Sequence, residues 1–543
     1  MRRSLVVVLA VLAVLGMLAP PSFAQAPAPK VTINGLVDFV ASAWSNWSQG
    51  GSAVNLAGFD VTNPRDKGMY SRERGVFTLT GEVGRTKGVW AIELDFGNGA
   101  GSVNGGNAFG SNNNGVAQAG VSANLDLDTD VASAVETKWL YLETPITGPG
   151  SLMPFIPVTS IGRFGGQPFR GHDYKVGILA SGDFPGATLE TVWAPNARST
   201  LTYVQIAEAI DRVAAPGQRE SFAILASLEV DVFRGLTVKP TYAYAFYNGG
   251  NCGTSHLGTQ AVGGINLNGN CPAGTTLSAT LASPGTNVGA GGDIRRHYLG
   301  GDVLWTSGPW SVRPTFYYVT GNEDIPRAGG RVNVDVRSFI VDTAAGFRTG
   351  PLNIEGRAMY TPGMDANHIL SNGGGGTDRT YHSINSGFAY MAGWSEIWTG
   401  TIDYTGSFLA GSPGDGSGAV LRESPSYDKY GRIFFALAAD YALTPALTLK
   451  VLSNWSWTDT KVDTTGVFAT TGIVTTGVRG TERYLGNEWN AGFTYRFAPN
   501  VTFDLVGAVL FAGDALNHAR TAGGPVFGAH DVYKGTARLR LTF

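Results

Sequence analysis

In several places along this chain apolar and polar residues alternate with a period of two, and the alternating stretches are joined by connections of two sharply different lengths. A period of two marks an extended strand, whose successive side chains face opposite sides. Phe77, Leu79 and Val83 alternate with Thr78, Thr80 and Glu82, and Trp90, Ile92, Leu94 and Phe96 with Ala91, Glu93 and Asp95. Phe493, Tyr495 and Phe497 alternate with Thr494 and Arg496, and the pattern resumes through Val501, Phe503, Leu505, Val509 and Phe511. One set of connections is tight, near 84–87, 195–197, 233–235, 307–309, 349–351, 444–446 and 498–500, with 145–157 a longer member. The other set is long and polar: 46–71, 98–131, 165–187, 248–293, 362–428, 459–482 and 514–532, with shorter ones near 211–219 and 321–332. A soluble sandwich also alternates. Short turns at one rim and long loops at the other instead predict an all-β, transmembrane antiparallel β-barrel. The tally gives about 18 strands (16–20), the upper figure if 381–408 hides a further pair.

The N-terminus agrees with an exported chain. Met1-Arg2-Arg3 is basic, Leu5 to Leu18 is apolar, and Ser22-Phe23-Ala24 carries small residues where a signal peptidase reads. Residues 1–24 are therefore predicted as a signal peptide cleaved before Gln25, and 25–543 as one barrel domain. No later apolar stretch reaches the length of a membrane helix. Among 543 residues there are 76 Gly, 12 Trp, 20 Tyr and 27 Phe but only 15% charged residues, which suits strands with a single apolar face. The net charge is −3, or −5 once Arg2 and Arg3 leave, and nothing in it suggests nucleic acid as a partner. Cys252 and Cys271 share one Gly/Asn-rich loop; in an oxidising compartment they favour a loop-closing disulfide, with two free thiols the alternative.

If the apolar alternate faces lipid, the polar alternate faces a lumen. That assigns to the interior Arg72, Arg74, Glu82, Glu93, Asp95, Glu136 and Lys138 early in the chain. Arg163, Glu229, Asp231, Lys239, Arg313, Glu355 and Arg357 follow, then Arg432, Asp440, Lys450, Arg496, Asp504, Lys534, Arg538 and Arg540. A barrel of 16–18 strands is wide enough to leave an aqueous channel. Trp44, Trp90, Trp139, Tyr141, Trp305, Trp310, Tyr441 and Tyr495, near strand ends, are expected to form interfacial girdles.

The last strand carries a resemblance. Tyr533, Ala537, Leu539, Leu541 and the terminal Phe543 alternate with Lys534, Thr536, Arg538, Arg540 and Thr542. This resembles the C-terminal signature of Gram-negative outer-membrane porins, which implies recognition of Phe543 by the barrel-assembly machinery. The Gly-Arg-Phe-Gly run at 162–165 and the loop 165–187 after it are similar to the constriction loop of general porins. By that resemblance Asp173 and Asp183 are the loop carboxylates facing Arg72, Arg74 and Arg163. Arg170, His172 and Lys175 on the same loop depart from a clean separation of acid and base. A narrower similarity, in Leu485–Tyr495 and Asn500–Phe503, is to the closing strands of alginate-export barrels.

The resemblance implies a porin in the outer membrane that passes small polar or charged solutes by passive diffusion, without cofactor, metal or catalytic residues. The pore-lining set is Arg72, Arg74, Arg163, Arg170, Asp173, Lys175, Asp183, Arg357, Arg432, Lys450, Arg496, Arg538 and Arg540. Expected partners are outer-membrane lipid, the assembly machinery and small solutes or ions, with monomer and homotrimer both open. Three alternatives stand beside this reading: an exporter or importer of acidic polysaccharide, a structural sleeve for a partner protein, and a barrel enzyme. The lumen acids nearly match the bases, which weighs against the first; no CxxCH motif supports a haem conduit; none of the seven histidines has a convincing nucleophile beside it.

Overall fold

The computed structural model describes residues 28–46, 67–98, 130–131, 135–169, 175, 178–180, 183–207, 221–247, 261–262, 265–266, 294–327, 330–365, 377–381, 383–384, 395–400, 402, 426–427, 430–464, 480–519 and 524–543. The leader at 1–24, Arg170, Asp173, Cys252 and Cys271 lie outside the described residues, as does the side chain of Arg72.

Eighteen strands form one closed antiparallel barrel. They begin with β1 (Lys30–Ser45), β2 (Lys67–Val83), β3 (Thr86–Asn98), β4 (Val135–Thr147), β5 (Thr159–Pro168) and β6 (Asp183–Ala194). Next come β7 (Ala197–Ala207), β8 (Ser221–Phe233), β9 (Leu236–Tyr247), β10 (Ile294–Ser307), β11 (Trp310–Arg327) and β12 (Gly330–Thr349). The set ends with β13 (Leu352–Thr361), β14 (Arg432–Ala442), β15 (Leu447–Val462), β16 (Glu482–Ala498), β17 (Val501–Ala512) and β18 (Val532–Thr542). Each strand pairs with the one before it, and β18 pairs back onto β1 through Leu36↔Thr542 to Ser45↔Tyr533. Closure leaves no exposed sheet edge, which a lipid environment requires.

The two faces follow the alternation. On β1, Val31, Ile33, Val37 and Phe39 are 41–68% exposed on the outside, whereas Asp38, Val40, Ser42 and Trp44 are buried on the inside. Leu539, Leu541 and Phe543 continue the apolar exterior across the seam. Of the expected girdle, Trp90, Trp305, Trp310, Tyr441 and Tyr495 do face outward. Trp44, Trp139 and Tyr141 are corrections. Trp44 shares the phase of Asp38 and Ser42 and points inward. In β4 the pairing slips between Ala91↔Trp139 and Ile92↔Thr137, leaving Lys138 as an extra residue. Such a bulge reverses the phase beyond it. Leu140 and Leu142 therefore take the outer face, and Trp139, Tyr141 and Glu143 turn inward.

The loops also differ from expectation in extent. β5 runs to Pro168 and β6 starts at Asp183, so the loop predicted at 165–187 is shorter. Strands β11 and β12 continue to Arg327 and from Gly330, which reduces the connection expected at 321–332. The described parts of 381–408 supply no further barrel strands. Thr377–Asp378 makes only a two-residue parallel bridge to Asp335–Val336.

Candidate functional site

The inner wall is built from acid–base pairs that the strand register brings together. Glu143 lies opposite Arg163, Asp504 opposite Arg538, and Asp38 opposite Arg540. Residues so opposed have Cβ atoms within reach of one another. Arg163 Nε stands 2.6 Å from Glu143 and its Nη1 2.7 Å from Glu190 on β6. Arg538 lies 2.8 Å from Asp504, and Arg540 pairs with Asp38. Arg74 reaches Glu93 at 2.8 Å, and Lys138 reaches the other oxygen of Glu93 at 2.6 Å and Asp183 at 3.3 Å. Further round, Arg198 and Lys239 share Glu229, and Arg313 pairs with Glu355.

These pairs are layered. Asp38 and Glu93 are 0% and 1% exposed, whereas Arg540, Arg74 and Lys138 keep 29%, 15% and 21%. In these pairs the carboxylates lie against the sheet and the cations stand in front of them, where the long stems let the charged heads reach water, whereas Arg163 is the more covered partner of Glu143 and Glu190. Lys450 and Arg496 are exposed near the short-turn rim. Lys450 lies opposite Asp440 in register.

Two loop segments fold into the lumen. Between β5 and β6, Ile178 and Leu179 are fully buried. Within β5, ahead of this loop, Gly165 has a φ of +118°, and a Cβ there would sit 2.5 Å from the Leu140 carbonyl oxygen of the neighbouring strand. At the root of the loop, Phe169 packs edge-on against Phe184, with ring centroids 5.6 Å apart. Asp183 lies at that root, as the first residue of β6, and accepts a 2.6 Å hydrogen bond from Trp139 Nε1. Lys175 crosses the lumen. Its ammonium donates to the Asp342 backbone oxygen at 3.1 Å and also to the Asp342 carboxylate, on β12, six strands beyond β6. Arg357 Nε, 2.8 Å from the other Asp342 oxygen, completes a triad. Burial pushes the Lys175 ammonium down from the usual lysine range, and the pull of Asp342 offsets this in part.

The second insert comes from the connection between β13 and β14. Tyr381 and Ser383 hydroxyls donate to the Ile178 carbonyl at 3.0 and 2.8 Å, and Ile384 N–H donates to Leu179 at 2.8 Å, so the two inserts clasp each other. Residues 395–400 then dock on β16 and β18. Trp398 lies against Arg432, whose guanidinium sits 5.7 Å from that ring and 5.1 Å from Phe434 and donates to Ser456 at 3.0 Å.

Of the residues singled out in the sequence, Arg74, Arg163, Asp183, Arg538 and Arg540 form the part-exposed charged wall. Lys175, Arg357 and Arg432 reach the lumen side but are covered by the inserts, with 8%, 2% and 0% exposure. The sequence reading missed Asp38, Glu143, Asp342, Glu396 and Glu488. The last two mattered most, and Ser395-Glu396-Ile397-Trp398, an apolar cluster inside a Gly-rich loop, was the available signal.

The architecture is that of a closed, antiparallel, 18-stranded β-barrel. No family profile matches the chain, and no curated protein matches it. Solved structures do resemble it. OccK5 (OpdH) of Pseudomonas aeruginosa matches at 10% identity and a TM-score of 0.43, over 94% of this chain and 98% of that one. A BenF-like porin from Pseudomonas fluorescens Pf-5 matches at 9% and 0.45, over 95% and 98%. OccAB4 of Acinetobacter baumannii matches at 9% and 0.44, over 95% and 99%.

Proposed function

We propose that this chain is an outer-membrane channel for passive diffusion of small polar or charged solutes, with weak charge selectivity and no catalytic role. The observation that supports it most is the charged wall, on which Arg74, Arg538 and Arg540, all part-exposed, each stand within bonding distance of a carboxylate. A hydrated, pairwise neutral wall can exchange hydrogen bonds with a passing solute without trapping either sign of charge. Lys175, Ile178–Ala180 and the described residues of the second insert, Tyr381, Ser383, Ile384 and 395–400, act as the constriction. An arginine-rich lumen for a polyanion would need unmatched cations, and this pairing argues against that alternative. Outer-membrane lipid and the assembly machinery are the partners this reading requires.

The test is single-channel conductance of the refolded mature chain in a planar bilayer, with the reversal potential under a salt gradient. Stable openings with a small reversal potential are expected; silence from a folded barrel would remove the channel reading. Replacing Asp38 and Asp504 by Asn leaves Arg540 and Arg538 unmatched. The anion-to-cation permeability ratio should then rise roughly fivefold in low salt, from about 1 kcal/mol of unscreened Coulomb energy, and less in molar salt. An unchanged ratio would mean that these pairs do not border the permeation path.

A further inference from the structure

Residues 395–400, with Ile402, are held on the wall by two carboxylates that interlock. Glu488 projects from β16 into a cradle formed by the insert. Its Oε1 accepts the N–H groups of Glu396 at 2.8 Å and Ile397 at 2.9 Å. Its Oε2 accepts the Trp398 N–H at 3.3 Å and the Ser395 hydroxyl. Asn490 Oδ1 takes a second bond from the Glu396 N–H, at 3.0 Å. In the reverse direction, Glu396 projects from the insert onto the wall. Its carboxylate lies 3.2 Å from Lys534 Nζ, accepts the Thr536 hydroxyl at 2.8 Å and accepts the Ile402 N–H at 2.9 Å. Lys534 donates as well to the Glu396 backbone oxygen at 3.2 Å. Glu396, Glu488 and the Lys534 side chain are fully buried.

The charged groups meeting at this contact, among the described residues, are Glu396 from the insert, Glu488 from β16, Lys534 from β18 and Arg432 from β14, the last stacked on Trp398. The wall's Ser42 and Thr536 hydroxyls, 3.0 Å apart, and Asn490 are the neutral polar neighbours. Protonating the carboxylates removes the charge that holds four donors to Glu488 and the charge that Glu396 sets against Lys534, which favours opening.

We propose that residues 395–400, with Ile402, are an acid-released latch, closed over the lumen at neutral pH by Glu488 and Glu396 and freed when these are protonated. The proposal rests on the channel reading for its conductance consequence, and a thiol-labelling readout keeps the two separable. Thr399 is fully buried in the latched state. In a Cys252→Ser/Cys271→Ser background carrying Thr399→Cys, Glu488→Gln should raise the rate of labelling by a water-soluble maleimide at pH 7 at least tenfold. The same substitution should raise the unitary conductance at pH 7. The parent should show that rise on acidification, and the variant should not respond further. Ser395→Ala and Glu396→Gln lie in the insert, outside the strands, and serve the same purpose should Glu488→Gln fail to fold. Slow labelling in folded variants overturns the latch. Fast labelling with conductance like the parent's overturns its closing role. Fast labelling with every form silent keeps the latch and removes the channel reading instead.

Discussion

Replacing Asp342 by Ala should both destabilise the barrel and widen the channel. Asp342 is fully buried and accepts Arg357 at 2.8 Å together with the ammonium of Lys175. Its loss removes the carboxylate that both cations share in a covered site. Breaking a buried pair in this way costs about 3–5 kcal/mol, which should appear as a lower urea midpoint for the refolded protein. Because Lys175 belongs to the loop and Asp342 to the far wall, the same change cuts the tie that holds the loop across the lumen. Lys175→Met separates the two effects: it removes the tie but leaves the Arg357–Asp342 pair in place. A folded Lys175→Met protein with parental conductance would show that this tie does not set the width of the pore.

Deleting Phe543 should impair closure. Phe543 N–H donates to Gly35 O and Gly35 N–H donates to Phe543 O, both at 2.9 Å, one step beyond the last residue of β18. The ring lies 5.9 Å from Phe77. It also occupies the space beside Gly35, where a Cβ would meet it at 2.8 Å and the Val76 carbonyl oxygen at 2.6 Å. Two backbone hydrogen bonds and one aromatic contact together amount to about 3 kcal/mol at the seam. The readout is the heat-sensitive mobility of folded barrel on a gel, in cells and after refolding in detergent. A large loss in both places the effect at the seam; a loss in cells alone makes Phe543 a recognition element. Unchanged yield in both would leave it neither role. Gly35→Val should mimic the seam defect with the terminal Phe still present.

The barrel itself was legible because alternation and loop length are local. Phe77, Leu79 and their polar alternates need no knowledge of their partners, and the turn at 498–500 declares itself. The candidate site was legible only in its wall. Arg163 could be placed on the lumen face from its own strand, but Glu143, its partner, sits beyond the Lys138 bulge. One extra residue there inverted the apparent facing of Trp139 and Tyr141 as well. The inserts were hidden for a different reason. Lys175 and Asp342 are 167 residues apart, and Glu396 meets Lys534 across 138. No period in either segment records where the other will be. A buried acid on a strand, such as Glu488, reads in sequence like any hydrated lumen residue.

The layered wall has an electrical consequence. A pore with fixed charge of one sign gathers an excess of mobile counter-ions, so its conductance levels off as the bathing salt is diluted. Here Arg74, Arg538 and Arg540 are each neutralised by a carboxylate a few ångströms away, closer than the Debye length of about 10 Å at 0.1 M salt. That stretch of wall has little net charge with which to gather counter-ions. On the channel reading proposed above, the salt beside it should follow the salt outside, and the current should scale with dilution.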